Sequence, residues 1–369
     1  MNISCHSEER SDEESLLEIF SELMDRELNS ENKNTGSLFA RARNAFWMAP
    51  MSGITEVCFR QLMDEMGAGV LVSELVSAKG LVYNSERTRR MITIHDRPGT
   101  MVGIQLFGEN AEDFVRVAHL VAERGADFLD INLGCPVTKV VKKGCGSALM
   151  RDPAGLETFL THIRKHISLP LTVKMRTGWN QEELTIHECV AAATNAGCEW
   201  VAIHGRTRQQ GYDGRADWDL IAEVKRRATI PIIGNGDIRG PERARTLLAE
   251  SGVDAVMIGR GALRNPWIFR QCTGELGETL DPTRLELMKR FHTLLAAVYD
   301  TRRTLMYLRK LAVWLAYGYP GASAFRGLMF QTHTTKGVIE KAEAFFATLD
   351  ALPVPRFDES EAFMMGGHG

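Results

Sequence analysis

Two rhythms of apolar residues alternate along the chain. From residue 45 onward, short runs of Val, Ile, Leu, Met and Ala recur, separated by longer stretches whose apolar positions follow helical spacing. The runs are Ala45–Met51, Val70–Leu75, Met101–Phe107, Phe128–Leu133, Leu171–Met175, Trp200–His204, Pro231–Asn235 and Ala255–Ile258. They read as continuous apolar segments rather than strict alternation, the pattern of parallel strands covered on both faces. Amphipathic segments such as Ala111–Arg124 and Pro241–Glu250 lie between them, each followed by a glycine (Gly125, Gly252) where a helix C-terminal signal is expected. Eight strand-then-helix units predict an α/β protein, a closed (β/α)8 TIM barrel. An open doubly wound sheet is the alternative, but no G-x-G-x-x-G follows the first run.

After Pro266 and Trp267 the strand pattern stops. Helical spacing continues over Arg284–Asp300, Thr304–Tyr317 and Thr335–Leu349, predicting a small all-helical domain. Ahead of the barrel, Leu16, Leu17, Ile19, Phe20, Leu23 and Met24 predict one amphipathic helix on a polar tether. The expected organisation is an acidic extension at 1–36, a barrel at 37–280, a helical domain at 281–350 and a flexible tail at 351–369.

Composition is that of an ordinary globular protein, with 44% hydrophobic and 25% charged residues. No apolar stretch approaches the roughly 20 residues that span a bilayer, and the N-terminus lacks a basic-then-apolar signal pattern. These features predict a cytoplasmic protein without a membrane partner, and a monomer is the default. The seven cysteines show no C-x-x-C pair and no Cys/His spacing suited to zinc, so no metal and no structural disulfide are expected.

The net charge of −3 conceals an uneven distribution: residues 1–32 carry ten acids against two arginines. Arg284–Lys341 carries ten Lys or Arg against three acids. Charge alone leaves two readings open for that helical stretch, a polyanion contact or a solvated surface.

Strand C-terminal ends form the active face of such a barrel. Six predicted ends carry polar residues: Gln105; Asn132; Lys174 with Arg176; His204; Asn235 with Asp237; Gly259 with Arg260. Together they predict a polar pocket. Asn235-Gly236-Asp237 and Gly259-Arg260 follow the last two strands, where barrels commonly bind phosphate through backbone N–H groups, and Arg260 suits a forked phosphate contact. Lys174 in mid-rim suits the charge that a reduced flavin gathers near N1 and O2, Gln105 offers a donor and an acceptor to its pyrimidine edge, and Met51 stands where it can line the ring. Cys135 follows the fourth run between Gly134 and Pro136, punctuation that projects a side chain away from the core. A thiol there is mostly protonated at neutral pH and suits the role of an acid toward carbon. Cys145, in a glycine-flanked loop, is the competing cysteine.

These residues make the chain resemble the tRNA-dihydrouridine synthase family, most closely its bacterial B-type branch. The resemblance spans about residues 45–345. It runs through A-P-M-S-G-I-T (49–55), G-A-G (67–69), S-E (73–74), D-I-N-L-G-C-P (130–136), K-K-G-C-G-S-A-L-M (142–150), V-K-M-R-T-G-W (173–179), I-H-G-R-T-R-Q-Q-G-Y (203–212), N-G-D-I (235–238) and M-I-G-R-G-A (257–262). It implies an FMN-dependent oxidoreductase that uses NADPH (or NADH) to reduce a D-loop uridine in tRNA, with hydride from FMN to C6 and a proton from Cys135 to C5. It further implies FMN binding by Pro50, Met51, Ser52, Gln105, Lys174, His204, Asn235, Gly236, Asp237, Gly259 and Arg260. Asn132, Arg176 and Tyr212 are implied at the uracil, and the helical domain, with Arg309 and Lys310 chosen there, at the tRNA. Val137 and Cys145 depart from the family's usual small residues. Two rival functions remain: a flavin barrel acting on a small metabolite, and a tRNA-binding factor without catalysis.

Overall fold

The computed structural model describes residues 37–96, 99–275 and 282–349. The extension at 1–36, with its expected helix, and the tail at 351–369 lie outside the described residues. Nine strands form: β1 (Phe46–Met48), β2 (Val70–Val72), β3 (Val76–Ser77), β4 (Met101–Phe107), β5 (Phe128–Leu133), β6 (Leu171–Arg176), β7 (Val201–His204), β8 (Ile232–Asn235) and β9 (Ala255–Ile258). All ladders are parallel, in the order β1-β9-β8-β7-β6-β5-β4-β2, with β3 pairing β4. The Gly69 N–H donates to the Phe46 carbonyl at 2.8 Å across the remaining seam, bringing β1 beside β2 in a nearly closed eight-strand barrel.

β3 is the difference from eight predicted runs. The second run breaks at Ser73, whose Oγ accepts from the Gln105 backbone N–H at 2.9 Å and donates to the Glu74 carbonyl. A side chain thus replaces a ladder bond, and the strand resumes three residues later opposite Leu106 and Phe107.

Three aromatic rings help fill the barrel interior. Trp200 meets Trp47 edge-on at 5.0 Å and Phe128 at 4.8 Å, an arrangement favoured by the ring quadrupoles. Gly103 makes room for them, since a Cβ there would lie 2.0 Å from the Phe128 ring. A 3-10 turn at Leu38–Arg41 packs onto this cluster through Leu38 and Phe39.

The amphipathic segments form helices close to their expected bounds, among them Ala111–Glu123 and Pro241–Ser251; Gly125 and Gly252 adopt φ of 80° and 66°. Beyond the barrel come helices Arg284–Val298, Thr301–Ala316, Ala322–Gln331 and Thr335–Phe346. Asp300 does not end the first of these but caps the second, accepting from the Arg303 N–H at 2.9 Å. The helix at Ala322–Gln331 was not anticipated; it starts after Gly321 at φ 80° and contains Gly327, so its local signal is weak.

The described residues from Leu38 to Leu349 form one compact unit. Phe59, on helix Val57–Glu65, packs edge-on to Phe291 and Trp314 of the terminal helices, and Tyr299 donates its hydroxyl to Glu56 at 2.9 Å. Among the described residues no helix is long and apolar enough to cross a membrane.

Candidate active site at the strand ends

A cleft opens at the ends of β1, β6, β7, β8 and β9. Nine of the eleven residues expected at the cofactor line it: Pro50, Met51, Lys174, His204, Asn235, Gly236, Asp237, Gly259 and Arg260. Ile238 and Arg239 join them. Gly236 is required here, with φ of 133° and a hypothetical Cβ only 2.5 Å from that of Ala216.

Charge in the cleft is held by neighbours. Lys174 Nζ donates to Asn235 Oδ1 at 2.9 Å, and Asn235 Nδ2 donates to the Met257 carbonyl at 2.6 Å. Burial, with Arg176 alongside, pulls the Lys174 ammonium down to about 8. Burial and the surrounding Arg176, Lys174, Arg206 and Arg260 hold His204 far below the usual imidazole range, so it is neutral at pH 7. Asp237 lines the cleft, but its carboxylate points elsewhere. Both oxygens accept from Arg206 at 2.8 Å, and one also accepts from the Ala216 N–H at 2.7 Å. It braces the 205–216 loop through these bonds.

The other two expected cofactor residues lie apart from that lining. Ser52 is exposed on the β1 loop. Gln105 is 1% exposed and part of a chain of side-chain bonds across β4, β5 and β6. Thr172 Oγ1 donates to Asp130 Oδ1 at 2.6 Å, and Gln105 Nε2 donates to Asp130 Oδ2 at 2.7 Å. Asn132 Nδ2 donates to Gln105 Oε1 at 2.9 Å. Asn132 Oδ1 then accepts from the backbone N–H groups of Cys135 at 2.8 Å and Gly134 at 3.2 Å. Burial pushes the Asp130 carboxyl up to about 6.

The cysteine loop is pinned from the other side as well. Arg176 Nε donates to the Gly134 carbonyl at 2.8 Å, and the Cys135 carbonyl accepts from Ser147 Oγ at 3.0 Å. Among the described cysteines Cys135 alone is not buried. Partial burial raises its thiol, opposed by nearby Arg176. Cys145 is different: its Sγ–H points at Glu109 Oε2 at 3.1 Å, and burial pushes it up to about 12. Cys145 is therefore a buried thiol engaged with Glu109, whereas Cys135 reaches the surface of the rim.

Residues 47–350 match the family model described as dihydrouridine synthase. The chain belongs to the dihydrouridine synthase family. Its relatives include tRNA-dihydrouridine synthase B of Escherichia coli strain K12, 37% identical over 312 residues that cover 82% of this chain and 96% of that one. The protein of the same name from Klebsiella pneumoniae is 37% identical over 310 residues, with the same coverage. That from Pseudomonas aeruginosa is 36% identical over 310 residues, covering 82% and 93%. These place the chain in the B-type branch. Among solved structures, histamine dehydrogenase from Rhizobium sp. 4-9 superposes with a TM-score of 0.51 at 13% identity, over 69% of this chain and 49% of that one. That likeness concerns the fold alone.

Within this dihydrouridine synthase, three residues expected at the substrate are engaged internally. Arg176 is 2% exposed, and its Nε and Nη1 serve the carbonyls of Gly134, Thr207 and Gly211. It is a brace between two rim loops. Arg309 turns back to the Thr332 carbonyl through Nε at 3.0 Å and through Nη2. Half-buried Lys310 points at the Gly53 carbonyl at 3.4 Å, in the field of Glu74. Both follow the inner face of helix Thr301–Ala316, a placement that charge counting does not resolve. Tyr212 stands open at the lip, 48% exposed, with Arg260 stacked 4.8 Å from its ring centroid. Asp130, Thr172, Arg206 and Ser147 were not singled out from sequence. Three of them lie inside the motifs D-I-N-L-G-C-P, I-H-G-R-T-R and K-K-G-C-G-S-A, which was the available signal.

Proposed function

We propose that this family member performs FMN-dependent reduction of the C5=C6 bond of a D-loop uridine in tRNA, with NADPH or NADH as reductant and Cys135 as proton donor. Family membership and the names of its relatives carry the reaction class and the tRNA. The observation that carries the residue assignment is the pinned, partly exposed Cys135 thiol on the same barrel rim as a cationic, glycine-walled cleft.

The cleft residues fit FMN. Arg260 and Arg239 supply cations, Gly236 leaves backbone approachable where any Cβ would intrude, and neutral His204 adds a hydrogen bond without charge. Pro50, Met51, Ser52, Gln105, Asn235, Asp237 and Gly259 complete the group assigned to it, Asp237 through its backbone. Bound FMN supplies the hydride to uracil C6. Lys174, fixed by Asn235, keeps a positive charge in the cleft where negative charge gathers. Cys135 gives its thiol proton to C5, and the nearby Arg176 guanidinium stabilises the thiolate left behind until solvent reprotonates it. Asn132 has both lone pairs of Oδ1 occupied and one N–H to spare, so it offers the base a donor suited to a uracil carbonyl. Tyr212 offers the base an exposed face for stacking.

The tRNA body falls to the helical region, through outward cations such as Lys289, Arg302 and Arg326 rather than through Arg309 and Lys310. The enzyme is assigned to the cytoplasm as a monomer. The test is incubation with FMN, NADPH and tRNA lacking the modification. The expected product is tRNA in which one D-loop uridine has gained two hydrogens, with free uridine and small enones unreduced. Reduction of the enones without reduction of tRNA would overturn it in favour of a metabolite reductase.

A further inference from the structure

Asp130 sits 3% exposed inside the barrel, touching neither the cleft nor the cysteine. A carboxylate is costly there, and an apolar residue of similar size would be the cheaper filling. Its hydrogen bonds explain its presence. Ionised, it accepts on both oxygens and donates nothing. Gln105 is therefore held with Nε2 toward Asp130 and Oε1 toward Asn132. That in turn holds Asn132 with its amide nitrogen toward Gln105 and Oδ1 toward the Gly134 and Cys135 N–H groups. Thr172, opposite Asp130 in the β5–β6 register, holds the carboxylate itself.

An amide turned end for end keeps its shape and reverses its polarity. Reversing Gln105 would set its oxygen against the Asp130 carboxylate and its nitrogen against the Asn132 amino group. A reversed Asn132 would set its own amino group against two backbone donors, and the cysteine loop would lose both bonds. The acceptor-only group at the inner end holds the chain in the one direction that the two backbone donors require at its outer end. We propose that Asp130 is a positioning residue for Cys135, setting the polarity of the Gln105–Asn132 chain that holds the cysteine loop.

The inference rests on the proton-donor role proposed for Cys135, and its test has one arm that does not. The variants are Asp130→Leu and Asp130→Ala, which remove the acceptor, and Asp130→Asn, which restores one. The Asn oxygen can still face Gln105 while its amide nitrogen meets the Thr172 hydroxyl. If either truncated variant fails to fold, the other carries the same test.

In the first arm, FMN-loaded protein without tRNA is alkylated with iodoacetamide, and the Cys135 peptide is followed by mass spectrometry. Two lost loop bonds should speed Cys135 alkylation about five- to tenfold in the Leu and Ala variants, with the Asn variant near wild type. In the second arm, uridine reduction should fall about 10- to 100-fold in the Leu and Ala variants while flavin reduction by NADPH stays within about threefold. The Asn variant should recover both rates. Wild-type alkylation and uridine reduction in the Leu or Ala variant would overturn the proposal. So would an Asn variant as impaired as they are, because charge rather than polarity would then be at work. An equal loss in flavin reduction would also overturn it, placing Asp130's effect at the cofactor. Wild-type protein that makes no dihydrouridine overturns the functional assignment instead, and the alkylation arm still judges Asp130.

Discussion

The two ends of the active rim are built from different materials. At β8 and β9 the cleft is walled by backbone: Gly236, Gly259 and the turn between Asn235 and Arg239, with Arg260 projecting from the next turn. At β4, β5 and β6 the cysteine is positioned by side chains bonded to side chains, from Thr172 through Asp130, Gln105 and Asn132 to the Cys135 N–H. At the first end backbone is approachable where a Cβ is absent, as at Gly236. The second end depends on every link having the right donor or acceptor. A binding surface for an anion needs little more than space and positive charge. The proton transfer proposed for Cys135 requires direction.

Four changes test that contrast, from the largest expected effect downward. Cys135→Ala should lower uridine reduction about 10²- to 10⁴-fold, the span of general-acid contributions, and leave NADPH-driven flavin reduction within about twofold. Stopped-flow measurement of the two half-reactions checks this, and equal loss in both would erase the distinction between the two ends. The second change concerns Asp130, whose folded carboxyl lies at about 6 against 3.8 for an unperturbed one, raised by burial. The folded state therefore holds a proton that the unfolded chain has lost between those values. The associated stability is complete below the lower value and is lost as pH rises through the upper one. Relative to Asp130→Asn, wild type should lose about 2 kcal/mol between pH 4 and pH 7. Urea unfolding of both proteins at the two pH values reads the difference, and parallel curves would deny that Asp130 is strained for a purpose.

Third, Arg260→Ala should weaken FMN binding about 10- to 100-fold, as expected for losing a charge-assisted phosphate contact, with Cys135 alkylation unchanged. Fluorescence titration with FMN measures it. Fourth, Tyr299→Phe removes the hydroxyl bond to Glu56 at the junction of barrel and terminal helices. It should cost about 1 kcal/mol of stability without altering FMN affinity, since it belongs to neither end of the rim. A change in flavin affinity there would mean that the helices reach the cleft through the β1 loop, where Lys310 faces the Gly53 carbonyl.

The same contrast explains what was legible before the fold was seen. Glycines and Arg260 after the last two strands announce themselves locally, because their backbone freedom and fixed charge belong to the residue. Nine expected cofactor residues do line one cleft. The placement of Arg176, Arg309 and Lys310 was not legible, for the complementary reason. A cation in sequence has no direction, and all three turn inward to carbonyl groups. The two cysteines illustrate the point most simply. Both are flanked by glycine, yet Cys145 is buried against Glu109 while Cys135 is partly open on the rim.

By itself the sequence determined the barrel, the helical region after it, the glycine-lined end of the cleft and the cysteine with its ordered family motifs. Those properties follow from hydrophobic period, backbone permissiveness and residue identity, which are local to the chain. Only the tertiary structure decided that Asp130, Gln105 and Thr172 meet. These residues come from three strands and lie 25 and 42 positions from Asp130, and the barrel register alone brings them together. Hydrogen bonds act over about 3 Å, so the orientation of each amide, and with it the hold on Cys135, exists only once the strands are side by side.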